Sequence, residues 1–152
     1  APLDFDFDKV LEQSKDNPVW YVQYASARVH SVMGKAAELG VDTSDAALTQ
    51  ADLSRLSHPA ELELIRKLAE YPRLIEAAAI AHEPHRVAFY LYDLAGSLHS
   101  LWNRGNDELS LRFVQEGDLA ATAAKIALIR AVGVVISSGL AILGVTPAKE
   151  MR

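Results

Sequence analysis

Residues 17–39 read NPVWYVQYASARVHSVMGKAAEL. Within them Val22, Ala25, Val29, Val32, Ala36 and Leu39 step alternately by three and four, which lines up one apolar face of a helix. Asn17 can cap the first turn with its side chain, Pro18 has its φ already set for the first helical position, and Gly40 supplies the stop. The same rhythm returns in Val87, Leu91, Leu94, Leu98 and Leu101, and again in Ile126, Ile129, Gly133, Ile136, Leu140 and Leu143. Such regularity favours neighbours that cross at shallow angles, so these three segments predict a bundle. Gly133 inside an apolar stripe costs about 1 kcal/mol of helix propensity, and in return a neighbouring helix can approach closely.

Proline and glycine divide the remainder. The first helix reaches about Leu39. Residues 41–57 are polar and broken, a long connection with room for one helical turn. Pro59 opens a helix through Glu70, Pro72 another through about His82, and Pro84 a fourth through about Asn103. Residues 104–117 form a second long connection in which Leu111–Gln115 can be briefly extended; the last long helix follows Asp118 and reaches about Leu143. Residues 3–7 (LDFDF) alternate apolar and acidic, like a short strand without a partner. Composition agrees, because 24 Ala and 20 Leu against 12 Val, 7 Ile and 4 Thr favour helix over sheet. The expected fold class is all-α, a helical bundle of four to five main helices. A chain of 152 residues is long enough for one such domain, or for one domain and a short lead-in.

Missing residues remove several function classes. With no cysteine there is no disulfide, thiolate nucleophile or cysteine-ligated metal site. No Gly-rich phosphate loop and no G-x-S-x-G elbow is present, so no catalytic residue is assigned. The one metal candidate is His82-Glu83-Pro84-His85. Zinc hydrolases hold two histidines four apart on a helix, whereas here the spacing is three and Pro84 interrupts. That cluster reads as a capped helix junction, and no metal is assigned. Ala131–Ala148 contains no charge, but Arg130 and Thr146-Pro147 confine it to about 15 residues where a membrane span needs about 20. A buried helix, with no membrane partner, is the expectation. The acidic start APLDFDFDKV lacks both a signal peptide's apolar run and an initiator Met. Processing or a longer parent, in the cytoplasm, is the corresponding reading.

A binding surface is better supported. Beside the apolar stripe of the first helix runs a second one, Tyr21, Tyr24, Arg28, Ser31 and Lys35, which sets two phenol rings and two cations on one ridge. Aromatic faces stack on unpaired bases, and guanidinium and ammonium groups meet phosphates. His99, Trp102, Asn103 and Arg104 cluster on the last turn of the fourth helix. The net charge of -5 argues against nucleic acid only until it is located. Residues 18–40 and 84–104 each carry +1 and residues 118–152 carry +2, while the acidity lies in 1–17, 41–83 and 105–117. An acidic chain can own a basic face. The alternative for the same ridge is a helical protein–protein interaction module with no nucleic-acid role.

Asn17-Pro18-Val19-Trp20-Tyr21-Val22-Gln23-Tyr24-Ala25-Ser26-Ala27-Arg28 closely resembles the segment of arginyl-tRNA synthetases that leads from the catalytic domain into the anticodon-binding domain, the Gln-Tyr-Ala-x-x-Arg element being the specific part. Glu83–Val87, Tyr90–Ala95 and His99–Asn103 look like a later helix of that family. Ala127-Leu128-Ile129-Arg130 and Gly139–Val145 are similar to the helix that names the DALR anticodon-binding domain. Ser26 stands where that family frequently has His or Tyr, and Gly34 where it is often basic. The resemblance, to the bacterial type, covers nearly the whole chain in order.

The resemblance implies a parent that joins arginine to tRNA(Arg) with ATP and Mg, both held by a catalytic domain outside this chain; no cofactor is expected here. It implies that residues 1–16 are the edge of that catalytic domain and 17–152 the anticodon-binding helical domain. The implied partners are the tRNA(Arg) anticodon stem-loop and the chain's own catalytic domain, in a monomer. The implied tRNA contacts are Tyr21, Tyr24, Arg28, Lys35, His99, Trp102, Asn103, Arg104 and Met151.

Overall fold

The computed structural model describes residues 12–151, so the alternating 3–7 segment lies outside the described residues, as does most of the expected lead-in. Asn17 Oδ1 accepts from the Trp20 amide at 3.2 Å and starts α1 (Pro18–Glu38), which ends at Leu39 and a left-handed Gly40 at φ +89°. A single turn, α2 (Asp45–Leu48), and a 3-10 turn at Leu53–Arg55 fill the first connection. A capping box at His58 and Glu61 opens α3 (Pro59–Ala69), and only Glu70 separates it from α4 (Tyr71–Ala81). His82, left-handed at φ 57°, ends α4, and α5 (His85–Asp107) follows Pro84. After a 3-10 turn at Leu109–Leu111, Asp118 Oδ1 accepts from the Ala121 amide at 2.9 Å and starts α6 (Leu119–Ile142).

Helices α1, α5 and α6 pack mutually and enclose the core, α3 packs on α5 and α6, and α4 packs on α5. The three apolar stripes meet there: Ala25, Leu94, Ala95, Ile126, Val132 and Ile136 have no exposed surface. Gly133 acts as expected. A Cβ there would sit 2.9 Å from Val29 Cγ1, so α1 and α6 touch over a glycine. Gly139 does the same against α5, where a Cβ would lie 2.7 Å from Leu91 Cδ2. The described residues form no strand; five helices of at least eleven residues, with one extra turn, carry the all-α architecture.

The differences from the sequence reading have local causes. Leu39 is half exposed, because the helix ends one residue earlier and the stripe loses its phase at the cap. Helix α5 runs past Asn103 to Asp107. Gly105 does not break it but lets the Arg112 backbone pack at 3.4 Å from where a Cβ would be. Leu111–Gln115 is not extended: the Gln115 amide nitrogen donates to the carbonyls of Leu109, Ser110 and Arg112 and curls the segment. The 15-residue limit on the last helix also fails. α6 has 24 residues, passes through Lys125 and Arg130, and is long and apolar enough to span a membrane by length and composition. Its charges are paired, Lys125 with Glu61 in the core and Arg130 with Asp45 at 2.7 Å on the surface.

Candidate nucleic-acid interface

The outer stripe of α1 and the last turns of α5 interlock around one guanidinium. Arg28 Cζ lies 4.6 Å from the Tyr24 ring centre and 4.4 Å from that of Trp102. Its Nη2 donates to Tyr24 Oη at 2.9 Å and its Nη1 to His99 Nδ1 at 3.1 Å. Arginine is always a donor, so His99 Nδ1 accepts and the ring proton resides on Nε2. That Nε2 is buried without a hydrogen-bond partner. Burial first and the Arg28 charge second push the imidazole down to about 4, against a weaker upward pull from the Tyr21 main chain. His99 is therefore neutral at pH 7. Two of Arg28's five N–H donors are used internally and three remain for a ligand.

Further rings hold this assembly in place. Trp20 stacks on Tyr24 with centroids 5.0 Å apart and planes at 11°, and His99 lies 5.3 Å from Tyr24 and 4.7 Å from Tyr21. Tyr21 continues to Tyr92 at 5.1 Å; burial, then Tyr92, raises the Tyr21 pKa, and Arg28 opposes the rise. Each such pair contributes roughly 0.5–1.5 kcal/mol beyond area burial, so the column fixes Tyr24 and Arg28 before any ligand arrives.

The chain beyond α6 completes the site. Gln23 Nε2 donates to the Thr146 carbonyl at 2.8 Å while Gln23 Oε1 accepts from the Ala148 amide at 2.6 Å, and Ser26 Oγ donates to the Ala148 carbonyl at 2.7 Å. This clamp lays Lys149, Glu150 and Met151 along α1. The result is a groove of about 590 Å³ bounded by Tyr24, Arg28, Lys35 and Trp102 on one side and Lys149 to Met151 on the other. Arg28, Lys35 and Lys149 have no carboxylate partner among the described residues.

Five of the nine residues singled out from sequence thus meet in one groove: Tyr24, Arg28, Lys35, Trp102 and Met151. His99 lies beneath it, 5% exposed, and touches it only through Arg28 and Tyr24. Tyr21 and Arg104 line a separate cleft of about 430 Å³ beside α3, and Asn103 is exposed but borders neither. Trp20, Gln23, Ser26, His30 and Lys149 were not singled out. The signal for Gln23 and Ser26 was their adjacency to Tyr24, but their partners lie over 120 residues away. The His82–His85 segment is the junction between α4 and α5, with His85 edge-on to Phe89 at 5.8 Å. No group of three His, Asp or Glu side chains able to hold a metal occurs among the described residues.

Residues 22–151 match the family model of the DALR anticodon binding domain. The chain belongs to that family. The DALR domain here is 78% identical over 152 residues to the arginine–tRNA ligase of Paracoccus denitrificans and 70% identical to that of Ruegeria pomeroyi. In each case all of this chain matches 26% of the relative, so the chain spans about a quarter of the length of these relatives. A solved structure titled as a putative arginyl-tRNA synthetase from Campylobacter jejuni superposes with a TM-score of 0.80 over 97% of this chain and 29% of that one. At 24% identity it shows the shared fold. Within the DALR domain the Gln-Tyr-Ala-x-x-Arg element divides its labour: Gln23, with neighbouring Ser26, holds the tail, Ala25 is core, and Tyr24 and Arg28 face the groove.

Proposed function

We propose that this groove holds the anticodon loop of tRNA(Arg) and positions that tRNA for ATP-dependent arginylation by a catalytic domain of the same parent enzyme, an arginine–tRNA ligase. The observation that carries the reading is Arg28, held between Tyr24 and Trp102 with three donors unused, beside Lys35 and Lys149, which form no ion pair among the described residues, in a groove that Glu150 also borders. All arginine codons have G in the middle, so every arginine anticodon has C there, and one pocket serves all isoacceptors. Cytosine offers two adjacent acceptors, O2 and N3, which a guanidinium fork can meet; in uracil N3 is a donor and the fork is refused. Lys35 and Lys149 take phosphates. Tyr24, Arg28, Lys35, Trp102 and Met151 are the contacts, His99 supports Arg28, and Tyr21 supports His99. Asn103 and Arg104, outside this groove, are further contacts of the same stem-loop.

Residues 1–16 form the edge of the catalytic domain and 17–152 the anticodon-binding unit, with the nearly buried cap Asn17 as the joint. ATP and Mg belong to the catalytic domain. The parent works as a cytoplasmic monomer. Filter binding of an arginine anticodon stem-loop tests this. Replacing the central C by U should weaken binding by roughly tenfold or more, the cost of about 1–3 kcal/mol for an unpaired polar group. Arg28→Ala should remove the preference for C, and binding should fall steeply with salt. Equal binding of the C and U loops, with Arg28→Ala like the parent, would defeat the assignment; indifference to salt would favour a protein partner.

A further inference from the structure

A second cleft opens on the other side of Trp102, between α1 and the 109–117 loop. It has a volume of about 280 Å³ and shares Lys35 and Trp102 with the anticodon groove. Its walls are the apolar side chains of Val32, Leu111, Phe113 and Val114. The Trp102 indole is a party wall: it packs 4.4 Å from Arg28 on the groove side and 5.8 Å from the Phe113 ring on the cleft side. The rim is polar, with Lys35, Arg112, the carboxylate of Glu116 and the carboxamide of Asn106. Like Lys35, Arg112 has no carboxylate partner among the described residues; its Nε donates to the Gly105 carbonyl at 3.1 Å, which leaves the Nη donors for a ligand.

The cleft is built before it is filled. Gln115 ties three loop carbonyls together, and its own amide donates to Thr122 Oγ1 at 2.9 Å on α6. Leu111 and Phe113 are buried and form the floor. An apolar slot with one amide at its edge and, at its rim, two cations against one carboxylate has the chemistry of a nucleobase with its phosphate: the ring stacks, the amide meets the base edge, and the cations meet the backbone. Continuity with the groove across one aromatic ring decides whose base it is. We propose that this cleft takes a second unstacked base of the same RNA loop, the immediate neighbour of the base read by Arg28, with Lys35 holding the phosphate between them. The inference rests on the anticodon reading of the groove.

The test is a coupling experiment with the 152-residue chain and arginine anticodon stem-loops that carry a single abasic nucleotide at each loop position in turn. Val114→Trp fills the half-buried side of the cleft, and Asn106→Ala removes the exposed carboxamide without touching the core. Each should weaken the intact stem-loop, Val114→Trp roughly tenfold, the scale of one lost stacking contact. With the abasic site next to the central C, the parent should bind as weakly as Val114→Trp and the variant should lose nothing more. If the parent prefers the C loop over the U loop but neither variant couples to any loop position, the second-base inference is wrong while the anticodon reading stands. If the parent binds no stem-loop, both fall. If the parent self-associates in sedimentation and Val114→Trp abolishes it, the cleft holds a second copy of the chain and the inference is wrong.

Discussion

On the α3–α6 flank Lys125 is closed against Glu61, Arg130 meets Asp45 at 2.7 Å, and Arg55 meets Asp118. On the α1–α5 flank Arg28 rests on aromatic rings, and Lys35, Arg112 and Lys149 have no carboxylate partner among the described residues. Helices α1, α5 and α6 carry the same apolar spacing, and both flanks enclose one core. The difference lies in the pairing of carboxylates: the first connection and α3 supply Asp45 and Glu61 to ion pairs with α6, whereas Arg28, Lys35, Arg112 and Lys149 form no ion pair among the described residues with Glu150 and Glu116, which border the groove and the cleft beside α1. One flank pairs its charges within the chain, in the core for Lys125 and at the surface for Arg55 and Arg130. The other keeps them for a polyanion, and the net charge of -5 conceals both facts.

The largest expected effect breaks the first flank. Lys125 and Glu61 are both almost wholly buried, so Lys125→Met leaves an uncompensated carboxylate in the core and should cost about 3–5 kcal/mol in urea unfolding. The double change Lys125→Met with Glu61→Leu should recover most of that loss. An unchanged midpoint for Lys125→Met would mean that the pair does not hold this flank. Stem-loop affinity of the folded variant should be unaffected.

The next effect belongs to the binding flank and is read by pH. His99 titrates near 6.5 when unfolded and at about 4 when folded, so between these values the unfolded chain binds more protons. Stability contributed by neutral His99 is complete above pH 6.5 and is lost as the pH falls to 4, a total on the order of 3 kcal/mol. Carboxylates such as Asp45 and Asp118, whose pKa values are also lowered, lose stability lower in the same direction. The parent must therefore be compared with His99→Gln, which can still accept from Arg28 but does not titrate. The slope between pH 6.5 and 4 should be shallower in the variant; identical slopes would remove His99 from the account.

Two smaller effects sharpen the boundary between the flanks. Gly139→Ala drives a Cβ to within 3 Å of Leu91 at the α5–α6 seam and should cost about 1–3 kcal/mol, offset by about 1 kcal/mol of helix propensity. A stabilised variant would show that the seam can open. Gln23→Ala should lower stability least, by about 0.5–1.5 kcal/mol for each hydrogen bond lost, yet weaken the stem-loop because Lys149 and Met151 leave the groove. Titration and urea melts on one preparation separate the two readouts.

The helices were legible because each was marked twice, by apolar residues at three-and-four spacing and by Asn, Pro, Asp or Gly at its ends. The ridge of Tyr24, Arg28 and Lys35 was legible for the same reason, since it is a periodic pattern on one helix. Neighbours in space but not in sequence were not. Gln23 looks like any surface glutamine until the tail returns to it. His99 looks like part of an exposed cluster with Trp102 and Asn103, and only the packing of α1 across α5 reveals that Tyr21 and Tyr24 bury it. Lys125 stands beside Ile126 on an apolar helix, and nothing local announces that Glu61 will meet it.

The tail clamp at Gln23 and Ser26 holds main-chain atoms of Thr146 and Ala148 and none of their side chains. It is therefore blind to spelling. Substitutions at 146 and 148 that keep the extended path can accumulate without moving Met151, whereas a one-residue insertion between Gly144 and Ala148 would shift every later side chain along the groove. Length, rather than letter, is what this stretch has to preserve.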